Sequence, residues 1–295
     1  MIAADGPGGE APGPRHAIHK VDGHCVHLIS AGPREAVPAV LLHGGGFDDA
    51  GVSWGALIGP LSARRAVVAP DWPGYGKSAP RGDCDGLAAL VAWLERFLDA
   101  LGIDRADLCG LSMGGGAALL LALERPERVR DLVLVSPYGI APRAPLHPLS
   151  FLASRLALDG PIRALMRTGR IPSRLVAGTM FRDASRLDAA LAAEVRAAAI
   201  GTPGLSTFAR FLRAEVGASG MRTVLLPRLP TLSTPTLIVH GRHDPLIAVA
   251  SIEAAAAAIP DCRLVLLDTG HFTPREDPDG VNDAVVAFLT RRGPA

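Results

Sequence analysis

The sequence predicts an α/β fold built on a mostly parallel sheet, and three observations carry that expectation. Short apolar runs alternate with longer segments of helical spacing, the pattern of strands joined by crossover helices. Several of those runs end directly in glycine-rich or turn-forming residues, as 39–43 (AVLLH) does at Gly44-Gly45-Gly46. The strand signal then vanishes between about 137 and 229 and resumes at Thr236, which points to a helical insertion between two strands of one sheet.

The elements follow in order. Strands are expected at 39–43, 66–71 (AVVAPD), 107–111, 129–135 (VRDLVLV), 236–240 (TLIVH) and 263–267 (RLVLL). The segment 86–101 places Leu87, Leu90, Val91, Leu94, Phe97, Leu98 and Leu101 on one face at a spacing near 3.6, so it reads as an amphipathic helix. Further helices are expected at 113–125, which stops before Pro126, and at 247–259 and 278–291. Inside the insertion, 151–158, 162–166 and 187–200 carry helical apolar spacing. The organisation is then a Gly-, Pro- and Ala-rich tail over 1–17, a core of 18–136 and 230–292, and a helical insertion over 137–229.

At 295 residues, 48% of them hydrophobic, the chain has material for a sizeable core. Its 30 basic and 29 acidic residues nearly cancel, which gives no reason to expect nucleic acid or an anionic membrane surface as a partner. The first 14 residues lack the apolar core of a secretory leader, and no run of 18 uncharged apolar residues occurs. A cytoplasmic location is the default expectation. The four cysteines, Cys25, Cys84, Cys109 and Cys262, stand singly, as reduced structural thiols would. No His/Cys cluster has metal-ligand spacing, so neither metal nor cofactor is expected.

Gly110-Leu111-Ser112-Met113-Gly114 fits G-x-S-x-G between a strand and a helix. A serine on such a sharp turn is lifted clear of the sheet, and the helix that follows aims its first amides at developing negative charge. The bland alternative is a serine that merely caps a helix. His43-Gly44-Gly45-Gly46 follows a strand about 70 residues earlier, where a glycine loop lets backbone amides approach an oxyanion. Gly45 and Met113 are the expected pair of amide donors, with His43 bracing the loop.

A serine hydroxyl is a poor nucleophile at neutral pH, so it needs an imidazole to take its proton and a carboxylate to fix that imidazole's tautomer. His271 follows the 263–267 strand and Asp244 follows the 236–240 strand. The order Ser112, Asp244, His271 suits a Ser…Asp…His relay. Asp268 is a rival acid, too near His271 in sequence to support it from the far side, and Asp244 alternatively reads as a helix N-cap before Pro245.

With these motifs in place, the chain resembles the α/β-hydrolase superfamily over residues 18–292 apart from the insertion. The matching residues are HGGG at 43–46, DWPGYGKS at 71–78, GLSMGG at 110–115, HGRHDP at 240–245 and GHF at 270–272. The resemblance implies an eight-stranded, mostly parallel sheet flanked by helices, with a helical cap inserted after the sixth strand. It implies Ser112, Asp244 and His271 as a triad and Gly45 and Met113 as oxyanion donors. A serine at the elbow separates the chain from the dehalogenases and epoxide hydrolases, which carry Asp there.

The HGGG and SMGG segments look most like meta-cleavage-product C–C hydrolases. Those enzymes commonly carry Asn before the nucleophile, Trp after the histidine and a cap arginine for a substrate carboxylate. Leu111 and Phe272 stand at the first two positions, and Arg196 near the third. The expected pocket comprises Gly44, Gly46, Phe47, Leu111, Tyr138, Arg196, Leu246 and Phe272. The remaining cap arginines, among them Arg155, Arg163, Arg167, Arg170 and Arg174, are expected to face water, with contact to an anionic substrate group as the alternative.

The expected activity is hydrolysis of an ester, lactone or activated C–C bond of a small, partly apolar organic molecule. A non-hydrolytic cyclase, lyase or transferase, or a ligand receptor on the same scaffold, are the alternatives. A homo-oligomer is left open.

Overall fold

The computed structural model describes residues 13–33, 37–168, 179–201 and 203–292. Eight strands form one sheet: β1 (Arg15–Val21), β2 (His24–Ala31), β3 (Ala39–Leu42), β4 (Val67–Pro70), β5 (Ala106–Leu111), β6 (Val129–Val135), β7 (Thr236–Gly241) and β8 (Cys262–Leu267). Their order is β1-β2-β4-β3-β5-β6-β7-β8. The β1–β2 and β2–β4 pairs are antiparallel and all others parallel. This is the sheet that the resemblance implies, and its parallel strands are apolar on both faces because helices cover both sides.

The alternation of side chains along the strands divides the core in two. Val40, Leu42, Leu108, Leu132 and Leu134 pack beneath helices α2 (Leu87–Ala100) and α3 (Met113–Glu124). Ala39, Leu41, Cys109, Val133 and Val135 face the other way, against α1 (Ala50–Ser62) and the C-terminal helix Pro278–Leu289. The apolar face of α2 expected from spacing is buried from Leu87 to Leu98, each side chain contributing about 1.5–3 kcal/mol. Among the described residues, no helix is long and apolar enough to cross a membrane.

Two features correct the expected organisation. The chain enters the sheet at Arg15, so the expected tail cannot extend to 17; residues 1–12 lie outside the described residues. The signal missed was Asp22-Gly23, where both residues have positive φ (49° and 79°), the geometry of a two-residue hairpin turn between β1 and β2. Helix α1 was also missed, because Gly51, Gly55, Gly59 and Pro60 dilute its helical signal; its N-terminus is capped by Asp49, which accepts from the Val52 amide.

Between β6 and β7 the described residues form helices α4 (His147–Arg155), α5 (Asp159–Arg167), α6 (Ala189–Gly201) and α7 (Gly204–Glu215), with short 3-10 turns and one isolated bridge, Val216 to Met221. Helix α7 was not foreseen. Arg170 and Arg174 lie outside the described residues.

Candidate active site

The residues singled out by motif gather where β3, β5, β7 and β8 end. Ser112 follows β5 with φ 48° and ψ −112°, a conformation that non-glycine residues rarely hold. The turn is possible only because its flanks are glycine. A Cβ on Gly110 would lie 2.4 Å from the Gly114 carbonyl oxygen, and one on Gly114 would lie 2.3 Å from that of Leu42. The Ser112 hydroxyl makes no capping bond to α3, which removes the bland reading. It meets Nε2 of His271 at 3.0 Å instead.

On its other edge, His271 Nδ1 meets Asp244 Oδ2 at 2.7 Å. The second oxygen of Asp244 accepts from the amides of Leu246 (2.8 Å) and Ile247 (3.0 Å), so one oxygen anchors the carboxylate and the other serves the imidazole. Burial opposes ionisation of Asp244, yet its interaction with His271, above all their hydrogen bond, and the Ile247 amide outweigh it, and its carboxyl sits below the ordinary value. Asp244 therefore stays ionised at neutral pH, acceptor-only, and requires the proton of His271 to be on Nδ1. That leaves Nε2 as the lone pair facing the serine.

His240 is fully buried behind this pair. Its Nε2 lies 3.0 Å from the Ile247 carbonyl, and its Nδ1 stands 3.7 Å from Asp244. Burial lowers its pKa, so it is a neutral neighbour of the carboxylate. Asp268, the rival acid, is exposed and bonded to Arg182 and His243.

The loop bearing His271 is tied to the segment between β6 and β7. The His271 amide donates to the Met180 carbonyl (2.7 Å). Buried Glu276 accepts from the amides of Gly270 (2.7 Å), Arg182 (3.1 Å) and Asp183 (2.9 Å). Sequence reasoning missed Glu276, whose role depends on contacts 93 and 94 residues apart.

The loop after β3 is equally constrained. His43 braces it as expected, its Nδ1 lying 2.8 Å from the Gly44 carbonyl while Nε2 accepts from the Trp72 amide (3.0 Å). Trp72 Nε1 donates to the His43 carbonyl at 2.9 Å.

A cavity of about 80 Å³ lies between these loops, lined by Gly44, Gly45, Phe47, Asp48, Leu111, Ser112, Met180, Val195, His271 and Phe272. Of the expected pocket residues, Gly44, Phe47, Leu111 and Phe272 are in that lining. Four others are not. Gly46 turns toward the Phe208 ring. Tyr138 gives its hydroxyl to Glu215 (3.0 Å) and packs against Phe211. Leu246 is 38% exposed outside the cavity.

Arg196 is exposed on α6, its guanidinium 3.3 Å from the Arg167 carbonyl, because its helix turns Val195 inward instead. Asp48, Met180 and Val195 were missed. Asp48 lies five residues beyond His43, and with Asp49 beside it nothing in the sequence singles it out.

The profile of the alpha/beta hydrolase family matches residues 39–284. The chain is 32% identical to a 2-hydroxymuconate semialdehyde hydrolase from Pseudomonas putida, over 86% of this chain and 88% of that one. It is 26% identical to carboxylesterase YbfK of Bacillus subtilis, over 89% and 83%. Among solved structures, it resembles the enol-lactonase from Burkholderia xenovorans LB400, with a TM-score of 0.75 and 25% identity, covering 93% of this chain and 100% of that chain. The sheet order, the strained G-x-S-x-G turn at Ser112 and a profile match spanning most of its length together establish that this chain belongs to the alpha/beta hydrolase family.

Proposed function

We propose that this protein is a serine hydrolase cleaving an ester, a lactone or an activated C–C bond in a small organic molecule through Ser112. The unbroken line from Asp244 through His271 to Ser112, at 2.7 and 3.0 Å, carries this reading. In the ester case, Ser112 Oγ attacks the carbonyl as its proton passes to His271 Nε2, and Asp244 stabilises the imidazolium. The oxyanion is received by the amides of Gly45 and Met113, the latter at the N-terminus of α3. Collapse returns the proton to the leaving alkoxide, and water repeats the sequence on the acyl-enzyme. For a C–C substrate the same histidine moves protons to and from carbon.

The cavity favours esters and lactones of uncharged acyl groups. Among its described lining residues there is no lysine or arginine, and there is one buried acid, Asp48. A carboxylate-bearing diketone would meet that acid and no cationic partner among the described lining residues. The segment 137–229 serves as the cap.

Labelling with a fluorophosphonate tests the reading: wild type should form one adduct on Ser112 and Ser112→Ala none. Assay of short p-nitrophenyl esters beside a dienoic C–C substrate then separates the bond classes. An unlabelled, folded wild type, inert toward both substrates, would overturn the proposal.

A further inference from the structure

Among the described residues that line the cavity, Asp48 is the one acid or base that the reaction above does not use. Its carboxylate is buried, with Oδ2 accepting from the Gly44 amide (2.7 Å) and the Ser53 hydroxyl (2.6 Å), and Oδ1 accepting from the Asp49 amide (2.9 Å). Both oxygens therefore face backbone N–H groups that cannot reverse. A carboxylate satisfies both; an amide of the same shape sets an NH2 against one of them.

The consequence for the loop follows from peptide planarity. The Gly44 carbonyl is held by His43 and the Gly44 amide by Asp48. In a trans peptide the N–H points opposite to the C=O, so fixing the Gly44 carbonyl on His43 aims the Gly45 N–H the other way. His43 and Asp48 grip Gly44 from its two sides, and the orientation of the Gly45 amide depends on both grips.

We infer that Asp48 is a positioning residue, whose ionised carboxylate holds the Gly44 amide and through it the aim of the Gly45 oxyanion donor. This rests on the reading of Ser112 as nucleophile. Burial is the largest influence and, with Asp49, leaves the carboxyl raised to about 6, although His43, the Ser53 hydroxyl and the Gly44 amide favour the ionised form. Tyr75, behind the loop, interacts with the same charge, and His271 lines the same cavity. Acidification through that range protonates Asp48 and weakens its hold, so ester turnover falls as Asp48 takes up its proton.

The test uses the full chain and a p-nitrophenyl ester. Asp48→Asn should lower kcat by about 10- to 100-fold, as a misaimed oxyanion donor does, with KM changed by less than about threefold. Ser53→Ala removes a donor that favours the charged form, so its acid limb of log kcat should move to higher pH. Fluorophosphonate labelling of wild type is run alongside, so that its absence refutes the Ser112 reading on which this one depends. With labelling intact, a folded Asp48→Asn keeping kcat within twofold of wild type, or a Ser53→Ala acid limb that stays in place, would overturn the role of Asp48. Circular dichroism and a melting curve for each variant separate a lost fold from a lost aim, and the Ser53→Ala profile decides the matter if Asp48→Asn does not fold.

Discussion

The sheet and the segment between β6 and β7 build one cavity by different physical means. The sheet side supplies Ser112, Asp244 and His271 from strand ends, each held by backbone geometry or buried hydrogen bonds. The inserted side supplies Met180 and Val195, which meet the cavity through apolar contact. Burial differs in the same sense: the central strands β3 and β5 are buried throughout, whereas Leu146, Leu149, Leu152, Leu156, Leu158 and Leu165 of the insertion remain 38–77% exposed. On the proposed function, chemistry that must be aimed within fractions of an ångström falls to the rigid side and the shape of the substrate to the looser one. Substitutions on the two sides should therefore fail in different ways.

The largest effect belongs to the rigid side. Asp244→Asn keeps the volume and much of the turn but removes the charge that demands a proton on His271 Nδ1. The imidazole is then free to present Nε2–H to Ser112, and kcat should drop about 10³- to 10⁴-fold with little change in KM. Steady-state kinetics on a p-nitrophenyl ester checks this. A loss confined to KM would move Asp244 out of the relay and into substrate binding, breaking the contrast between the two sides.

The contrast also explains what was legible in the sequence. The strained turn at Ser112 forces glycine at 110 and 114, so its geometry is written into five consecutive residues. The loops after β7 and β8 are short, and they fix Asp244 and His271 within a few residues of a strand end. Short continuous apolar runs located the strands from β3 onward, and period-3.6 patterning located most helices. The β1–β2 hairpin escaped because β1 is an edge strand whose residues are mostly exposed, leaving little apolar signal beyond Asp22-Gly23.

In the insertion, motif position misled. Arg196 and Val195 are neighbours, and a helix turns 100° between them, so an uncertainty of one residue in placement exchanges cavity for solvent. Glu276 and Asp48 act through backbone amides, and an acceptor for an amide has no sequence signature of its own.

A change on the inserted side should sharpen the comparison. Val195→Phe adds a ring to the wall of a cavity of about 80 Å³ without touching the relay. The ratio of kcat/KM for an acetyl ester over that for a hexanoyl ester should rise about tenfold, on the scale by which hydrophobic pockets discriminate added bulk. Fluorophosphonate labelling with a small alkyl group should proceed at a rate close to wild type. A parallel loss on both esters would mean that the inserted helices also aim the chemistry.

The smallest effect should come from Arg196→Ala. The guanidinium is exposed, and its partner among the described residues is the Arg167 carbonyl at a lengthened 3.3 Å. Removing it leaves no buried charge unpaired and opens no cavity, so stability and kcat/KM on a neutral ester should stay within about twofold of wild type. A carboxylate-bearing substrate makes the sharper test, because attraction to a cation in the cavity would strengthen its binding while a cation in solvent would be screened. The variant should treat the charged substrate as wild type does. If it instead loses that substrate selectively, α6 must rotate on binding to bring residue 196 inward, and the inserted side would read charge as well as shape.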